Sequence, residues 1–442
     1  MITATAWQGK HYAVYGLARS GLATVRALLA SGAQVTAWDE REEAREAALR
    51  CSCEGRSLVL DPRLRGDTTL PNNLDSLVVS PGVPLNIHPL AARARAAGLE
   101  IIGDIELFAR SRPELPPHKV VGITGTNGKS TTTALVHHIL AIAGVPTAMG
   151  GNIGLPILAQ DPLPEGGVYV LELSSYQIDL TQSLDCDVAV LLNITPDHLD
   201  RYESFEAYAN AKERLFKMQS LPGRCVIAVD DAETQAIAHR IHATLNDNDF
   251  FRLREVSWEW TDQKRDWPAL QGPHNRQNVA VARAAAEYLG VSHESSEEAL
   301  RTYPGLPHRM ERVRERDGVL FVNDSKATNA EAAAPGLAAY PRVRWIVGGQ
   351  AKTDDLGDTA RHLDHVGHAY TIGEAGPLFA RLLRERGVEV TESETLENAV
   401  ERAAADSQAG EVVLLSPACA SFDQFRDFEA RGEAFKRLVG DL

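Results

Sequence analysis

The sequence predicts an α/β protein of three domains with mostly parallel sheets, and three observations carry that expectation. The chain has 442 residues, which at roughly 150 residues per domain is about three domains. Apolar runs of strand length alternate with amphipathic runs of helix length, the pattern of parallel βαβ units. Two proline-rich joints, SRPELPPHK at 111–119 and TYPGLPHR at 302–309, interrupt that alternation. Prolines there remove backbone donors and break any helix.

Composition narrows the function classes. With 44% hydrophobic, 24% charged and 6% aromatic residues the chain is globular. Sixty acidic against 45 basic residues give a formal charge of −15, a field that repels nucleic acid backbones and anionic membrane surfaces, so neither is expected as a partner. No run reaches the roughly 18 apolar residues of a spanning helix, and no basic-then-apolar leader opens the chain, so a cytoplasmic location is expected. Cys51, Cys53, Cys186, Cys225 and Cys419 form neither a disulfide framework nor a zinc set and read as ordinary thiols.

In the first segment, HYAVYG reads as a strand, GLATVRALLASG as a helix with Leu22, Val25, Leu28 and Leu29 on one face and Gly32 as its cap, and AQVTAWD as the next strand. Gly16-Leu17-Ala18-Arg19-Ser20-Gly21 is a dinucleotide fingerprint whose middle glycine is alanine, which weakens the approach of a pyrophosphate. Asp39, Glu40 and Arg41 follow the second strand. They suit a nucleotide's ribose or base, or equally a helix cap.

The central segment opens with VVGITGTNGKSTTTALV at 120–136, a strand, a glycine-rich turn and a helix. This is a phosphate loop, in which backbone N–H groups and the helix N-terminus hold phosphate, Lys129 supplies a point charge and Ser130 a magnesium ligand. Ile123 stands where the strict pattern has its first glycine. Glu172 interrupts the apolar strand VYVLELSSYQ, and a carboxylate there requires a partner or a metal. ITPDHLDRY places Asp197, His198, Asp200 and Arg201 on a loop beyond another strand, which with Glu172 and Ser130 points to a divalent ion. In SFEAYANAKERLF, Lys212 falls four residues after Tyr208 and seven after Phe205 on the buried stripe. It is either a snorkelling stem or a desolvated, neutral amine able to capture CO₂ as a carbamate. Asn275 and Asn278, one helical turn apart, suit a purine edge or a helix cap.

Taken together, TGTNGKST, LELSS, TPDHLDR, the lysine of NAKERLF, GPHNRQN, LPHR and NDSKATN resemble the Mur ligase family of ATP-dependent amide ligases, which includes the folylpolyglutamate synthases. SPGVP at 80–84, GDIELF at 103–108, GGNIG at 150–154 and LLSPACASFDQF at 414–425 are similar to the branch that adds D-glutamate to UDP-N-acetylmuramoyl-L-alanine in peptidoglycan assembly. The resemblance implies a Rossmann-like UDP-binding domain over 1–103, a central P-loop ATPase domain with a mostly parallel sheet over 104–305, and a Rossmann-like glutamate-binding domain over 306–442. It implies that ATP phosphorylates the alanyl carboxylate, that the glutamate amine displaces phosphate from the acyl phosphate, and that the later domains close around ATP.

The same resemblance assigns residues. Lys129, His198 and Lys212 would be catalytic. Gly125, Thr126, Asn127, Gly128, Lys129, Ser130 and Thr131, with Asn275, Asn278, Arg309 and Asp324, would bind ATP. Of two magnesium ions, Ser130 and Glu172 would hold one, and His198 with carbamylated Lys212 the other. Arg19, Ser20, Asp39, Glu40, Arg41, Ser80, Asn152 and His198 would bind the uridine precursor. Lys326, Thr328, Lys352, Ser421 and Phe428 would bind glutamate. A monomer is expected. Departures are Arg19, where relatives often carry an apolar residue, and Gln350-Ala351 before Lys352, where Asp-Gly is familiar; residues 241–271 match no family motif. A folylpolyglutamate ligase is the rival reading, opposed by the first nucleotide domain and by SPGVP. The hand of the glutamate is not legible in the residues, so an L-glutamate-adding variant stays open.

Overall fold

The computed structural model describes residues 1–51, 58–65, 69–197, 200–245, 252–260, 267–270 and 272–442. The chain divides into two compact units, one of residues 1–261 with 277–299, the other of residues 262–276 with 300–442.

The first unit carries two parallel sheets. Strands β1 (His11–Tyr15), β2 (Gln34–Trp38), β3 (Leu58–Leu60), β4 (Ser76–Val79) and β5 (Glu100–Ile102) pair in the order β3-β2-β1-β4-β5, all parallel. Val14, Val35, Ala37, Leu77 and Val78 are fully buried, as expected for a sheet covered on both faces. This is the Rossmann-like order. Its reversal falls between β1 and β4, and ligands of such sheets sit beyond the strand ends at that point. Gly16, Asp39 and Ser80, which follow β1, β2 and β4, are thereby brought side by side.

The second sheet contains β6 (His118–Thr124), β7 (Thr147–Gly151), β8 (Gly167–Glu172), β9 (Val188–Leu191), β10 (Arg224–Ala228) and β11 (Leu253–Val256) in the order β11-β10-β9-β6-β8-β7, again all parallel. Glu172 registers with Ile123 on one side and Gly151 on the other, and Thr124 with Leu191. The segments leaving β6, β7, β8 and β9 therefore emerge at one end of the sheet. The joint between the two sheets is built by the helix Asp104–Ser111. Its Glu106, 1% exposed, accepts from the N–H groups of Gln182 and Ser183 and from the Ser183 hydroxyl at 2.7–2.9 Å, and Arg110 bonds it at 2.8 Å. Four donors satisfy a carboxylate that burial alone would penalise.

The second unit contains β12 (Glu311–Arg316), β13 (Val319–Asn323), β14 (Val343–Gly348), β15 (Val366–Ile372), β16 (Val390–Glu394) and β17 (Val412–Leu415) in the order β12-β13-β17-β14-β15-β16. Only the β12–β13 pair is antiparallel. The apolar runs VLFVND, VRWIVGG, AYTIGE and EVVLLSPA become β13, β14, β15 and β17. The polar edge strands β12, ERVRER, and β16, VTESE, carry no such pattern, because an edge is half solvated and profits from charge.

Candidate functional site

A cavity of about 400 Å³ opens beyond β1, β2 and β4. Arg19, Ser20, Asp39, Arg41, Ser80 and Asn152 all line it, so six residues named from four separate segments converge. Gly16 turns the chain at φ +89°, and a Cβ there would lie 2.8 Å from Ser80 Cβ, which is why the fingerprint keeps this glycine. Asp39 accepts from Leu17 N–H at 2.6 Å and from the backbone and guanidinium of Arg41 at 2.9–3.2 Å. Desolvation opposes its charge, but the bonds from Arg41 and Leu17 outweigh that and hold the carboxyl below the usual carboxylate range. The helix-cap alternative does not occur, since the helix Glu42–Leu49 starts after Arg41 with no side-chain cap. Glu40 stands apart from the cavity lining, accepting from the Tyr15 hydroxyl at 3.1 Å and pairing with Arg65. Arg19 donates to the Gly154 carbonyl in the turn after β7.

The second cluster gathers at the end of β6. The helix Lys129–Ile142 begins directly after Gly128, which is left-handed at φ +83°; a Cβ there would meet Asn278 Oδ1 at 2.3 Å. Asn278, 2% exposed, accepts from Thr132 Oγ1 at 3.2 Å and so packs the turn from behind. Lys129 Nζ donates to the carbonyls of Gly125 and Thr126 at 2.8 and 2.6 Å. Lys212 Nζ donates to the same Gly125 oxygen at 2.8 Å, from the helix Phe205–Lys217 that Ser204 caps. Two lysine amines thus share one acceptor. Lys212 is 1% exposed and lies 4.5 Å over the Tyr208 ring. Burial, then repulsion from Lys129, pushes its pKa well below the usual lysine value, against the pull of Asp197 and Asp179. The snorkelling alternative is excluded, because the head itself is buried.

Glu172, 2% exposed, closes this cluster. Its Oε1 accepts from Asn152 Nδ2 at 3.1 Å, while its Oε2 is buried with no partner among the described residues. Asn152 thus belongs to the cavity wall and reaches the carboxylate at the end of β8. Ser130 is 7% exposed, and Thr131 follows it on the first helical turn. No group of three or more His, Cys, Asp and Glu gathers among the described residues; His198 lies outside them.

In the second unit Asp324, 6% exposed, accepts from the Ser416 hydroxyl at 2.8 Å and Met310 N–H at 3.2 Å, and burial raises its pKa to about 7; Arg309 opposes that shift. Lys326 Nζ sits 3.8 Å over the Phe428 ring. Arg431, fully buried, donates to Ser325 Oγ and to the carbonyls of Ser325, Cys419 and Ala420 at 2.9–3.3 Å. It ties the segment of Lys326 and Thr328 to the segment of Ser421. Gln350 pairs with Ala420 in both directions at 2.9 Å, which pins the loop carrying exposed Lys352 to the same place. Asn275 is buried on the helix Pro273–Tyr288.

Comparison with known proteins decides the family. Residues 10–103 match the Mur ligase MurD-like N-terminal domain, 123–286 the Mur ligase middle domain, and 308–419 the Mur ligase glutamate ligase domain. The UDP-N-acetylmuramoylalanine–D-glutamate ligase of Novosphingobium aromaticivorans is 59% identical over all of this chain and 97% of its own. That of Zymomonas mobilis is 57% identical over the whole of both. The chain belongs to the Mur ligase family.

The fold of the MurF ligase of Thermotoga maritima, solved in complex with ADP, agrees at 17% identity, with a TM-score of 0.60 over 99% of this chain and 97% of that one. Within the Mur ligase frame, several residues of the two sites escaped sequence reasoning. Asn193 accepts from Asn127 N–H at 2.8 Å and donates to Gln277 at 2.8 Å, and Gln277 donates to Asp230 at 2.7 Å; together they latch the phosphate loop to β9. Neutral amides carry no pattern that marks them. Arg431 escaped as well, since an arginine on an amphipathic helix ordinarily reads as surface. No described helix is long and apolar enough to cross a membrane.

Proposed function

We infer that this Mur ligase couples ATP cleavage to addition of D-glutamate to UDP-N-acetylmuramoyl-L-alanine, through an acyl phosphate and with release of ADP and phosphate. The observation that carries the reading is Asn152, which lines the cavity holding Arg19, Ser20, Asp39, Arg41 and Ser80 and donates to Glu172 beside the phosphate loop. A substrate whose uridine diphosphate end fills that cavity presents its other end to the phosphate-loop cluster. Two of the three substrates, ATP and the uridine precursor, are nucleotides, and the reaction is assigned to the cytoplasm.

The chemistry of each group follows from its setting. Two anions meet in the phosphoryl step, so Lys129 and the N–H groups of the turn Gly125–Gly128 screen the terminal phosphate and spread its charge. Asn275, Asn278, Arg309 and Asp324 are assigned to the adenosine half of ATP. Glu172 offers a buried oxygen without a partner and Ser130 a hydroxyl at the helix start, a hard donor pair that fits magnesium. Magnesium, when bound there, neutralises the phosphate oxygens. Lys212, desolvated and repelled by Lys129, is held toward its neutral form, the form that adds CO₂ to become an oxygen ligand; with His198 it would hold a second ion. In the amide-forming step Lys326, Thr328, Lys352, Ser421 and Phe428 hold the glutamate, whose two carboxylates suit two lysines. The assignment divides the work among residues 1–103, 104–305 and 306–442.

Phosphate release from ATP with UDP-N-acetylmuramoyl-L-alanine and either D- or L-glutamate tests the reading. D-glutamate is expected to drive release; release with L-glutamate alone overturns the stereochemistry, and no glutamate-dependent release overturns the activity.

A further inference from the structure

A second cavity, about 440 Å³, shares Pro81 and Val83, in the loop that follows β4, with the precursor cavity. None of its remaining lining belongs to the assigned machinery. One wall is apolar, made by Leu85, Leu99, Ile101 and Leu180. Two guanidinium groups stand over it. Arg95 is exposed, and its guanidinium makes no hydrogen bond or ion pair among the described residues, while its backbone carbonyl accepts from Gly98 N–H at 3.0 Å. Arg201 lies 4.3 Å over the Tyr176 ring and donates to Val83 O at 2.7 Å and Gly82 O at 3.4 Å. The acid of the cavity, Asp179, is already engaged by the Tyr202 hydroxyl at 2.7 Å and by Arg214 at 3.4 Å, so it leaves the two arginines as the groups that select a ligand's charge.

We propose that this cavity is an effector site for a small organic anion with an apolar, ring-bearing body, the body against the leucine–isoleucine wall and the acid group between Arg95 and Arg201. The volume is that of an ordinary ligand pocket, and an apolar lining with a few converging polar groups is how such pockets choose ligands. Arginine pairs with a sulfonate, carboxylate or phosphate through charge-assisted bonds that outlast those to a neutral carbonyl. The occupant therefore draws Arg201 away from the Gly82 and Val83 carbonyls. Those residues continue from Ser80, on the wall of the precursor cavity, so occupancy slackens that loop and raises the KM for the uridine precursor while leaving the KM for ATP unchanged. The coupling is reciprocal, so saturating precursor weakens the anion without displacing it fully.

Anilinonaphthalene sulfonate, an apolar ring system bearing one sulfonate, is the probe, titrated by fluorescence into the full chain. One saturable site is expected. Arg95→Ala should weaken it by roughly fivefold or more through the lost charge-assisted bond, and Leu99→Trp, which fills the cavity, should abolish it. Both variants are expected to keep glutamate-dependent phosphate release, which separates this test from that of the activity; should Leu99→Trp fail to fold by its thermal melt, Ile101→Phe replaces it. Identical titrations in all proteins, or complete competitive displacement of the probe by uridine diphosphate, would overturn the proposal. So would a precursor KM that saturating probe leaves unmoved.

Discussion

The first unit contains two glycine-bearing strand-to-helix turns, Gly16–Gly21 after β1 and Gly125–Gly128 after β6, and they are braced by opposite charges. At the first, a carboxylate enters the turn: Asp39 takes the Leu17 N–H, so a donor that a pyrophosphate would use is already occupied by an anion. At the second, two lysine amines enter: Lys129 and Lys212 both donate to the Gly125 carbonyl. A strand–turn–helix junction supplies N–H groups and a helix dipole in either case. The side chains that hold its other face decide which of those donors a phosphate can reach. The comparison explains why the first fingerprint tolerates Ala18 in place of glycine while the second turn keeps Gly128 against Asn278.

The largest effect is expected from removing the buried lysine that only the second turn has. Lys212→Ala should lower turnover by about 10²–10³ or more, the range for deleting one preorganised electrostatic group, and acetate should restore part of it by standing in for the carbamate. A series of short carboxylates that gives no rescue would falsify the carbamate role, although not the role of the lysine. Next come the glycines. Gly128→Ala places a methyl in the left-handed region, at about 1–2 kcal/mol, and against Asn278 besides; it should raise the KM for ATP and not for the precursor. Gly16→Ala, against Ser80, should do the reverse. If both variants move the same KM, the two turns do not serve separate ligands.

The fold was legible where burial writes a strong pattern and illegible where it does not. HYAVYG, VVGIT, VYVLE and VLFVN are buried on both faces and read directly as strands. TAMGG, which became β7, and ERVRER and VTESE, the edges of the third sheet, are too small or too charged to show one. Site legibility followed the same physics. Lys212 stood out because a charge on a buried stripe contradicts its surroundings. The latch of Asn127, Asn193, Gln277 and Asp230 did not, because its members lie far apart in sequence and each is an ordinary polar residue by itself. Glu40 sits between Asp39 and Arg41 in the sequence, while its carboxylate meets the Tyr15 hydroxyl and Arg65.

A smaller effect tests the anion of the first turn. Asp39→Ala strips the Leu17 and Arg41 donors of their acceptor, roughly 1–3 kcal/mol for a buried group left unpaired. That corresponds to about a 5- to 150-fold rise in the precursor KM, with the ATP KM unchanged. An equal rise in both would mean that the turn serves only the stability of the unit.

The smallest signature lies in the pH dependence of stability, and it places the two turns in separate windows. Asp39 has its native pKa held below the ordinary 3.8. Between those values the unfolded chain binds a proton that the native chain does not, so the contribution is fully present above pH 3.8 and is lost as pH falls through the native value. Lys212 has its native pKa far below the ordinary 10.5. From that lowered value up to 10.5 the unfolded chain again holds the extra proton, so stability climbs with pH through that window and levels off above 10.5. Thermal melts in CO₂-free buffer should therefore show Asp39→Asn losing only the acid slope and Lys212→Met losing only the alkaline one. A Lys212→Met profile that runs parallel to the parent up to pH 10.5 would mean that the second lysine stays charged in the folded protein, and the contrast between an anionic and a partly discharged cationic turn would fail.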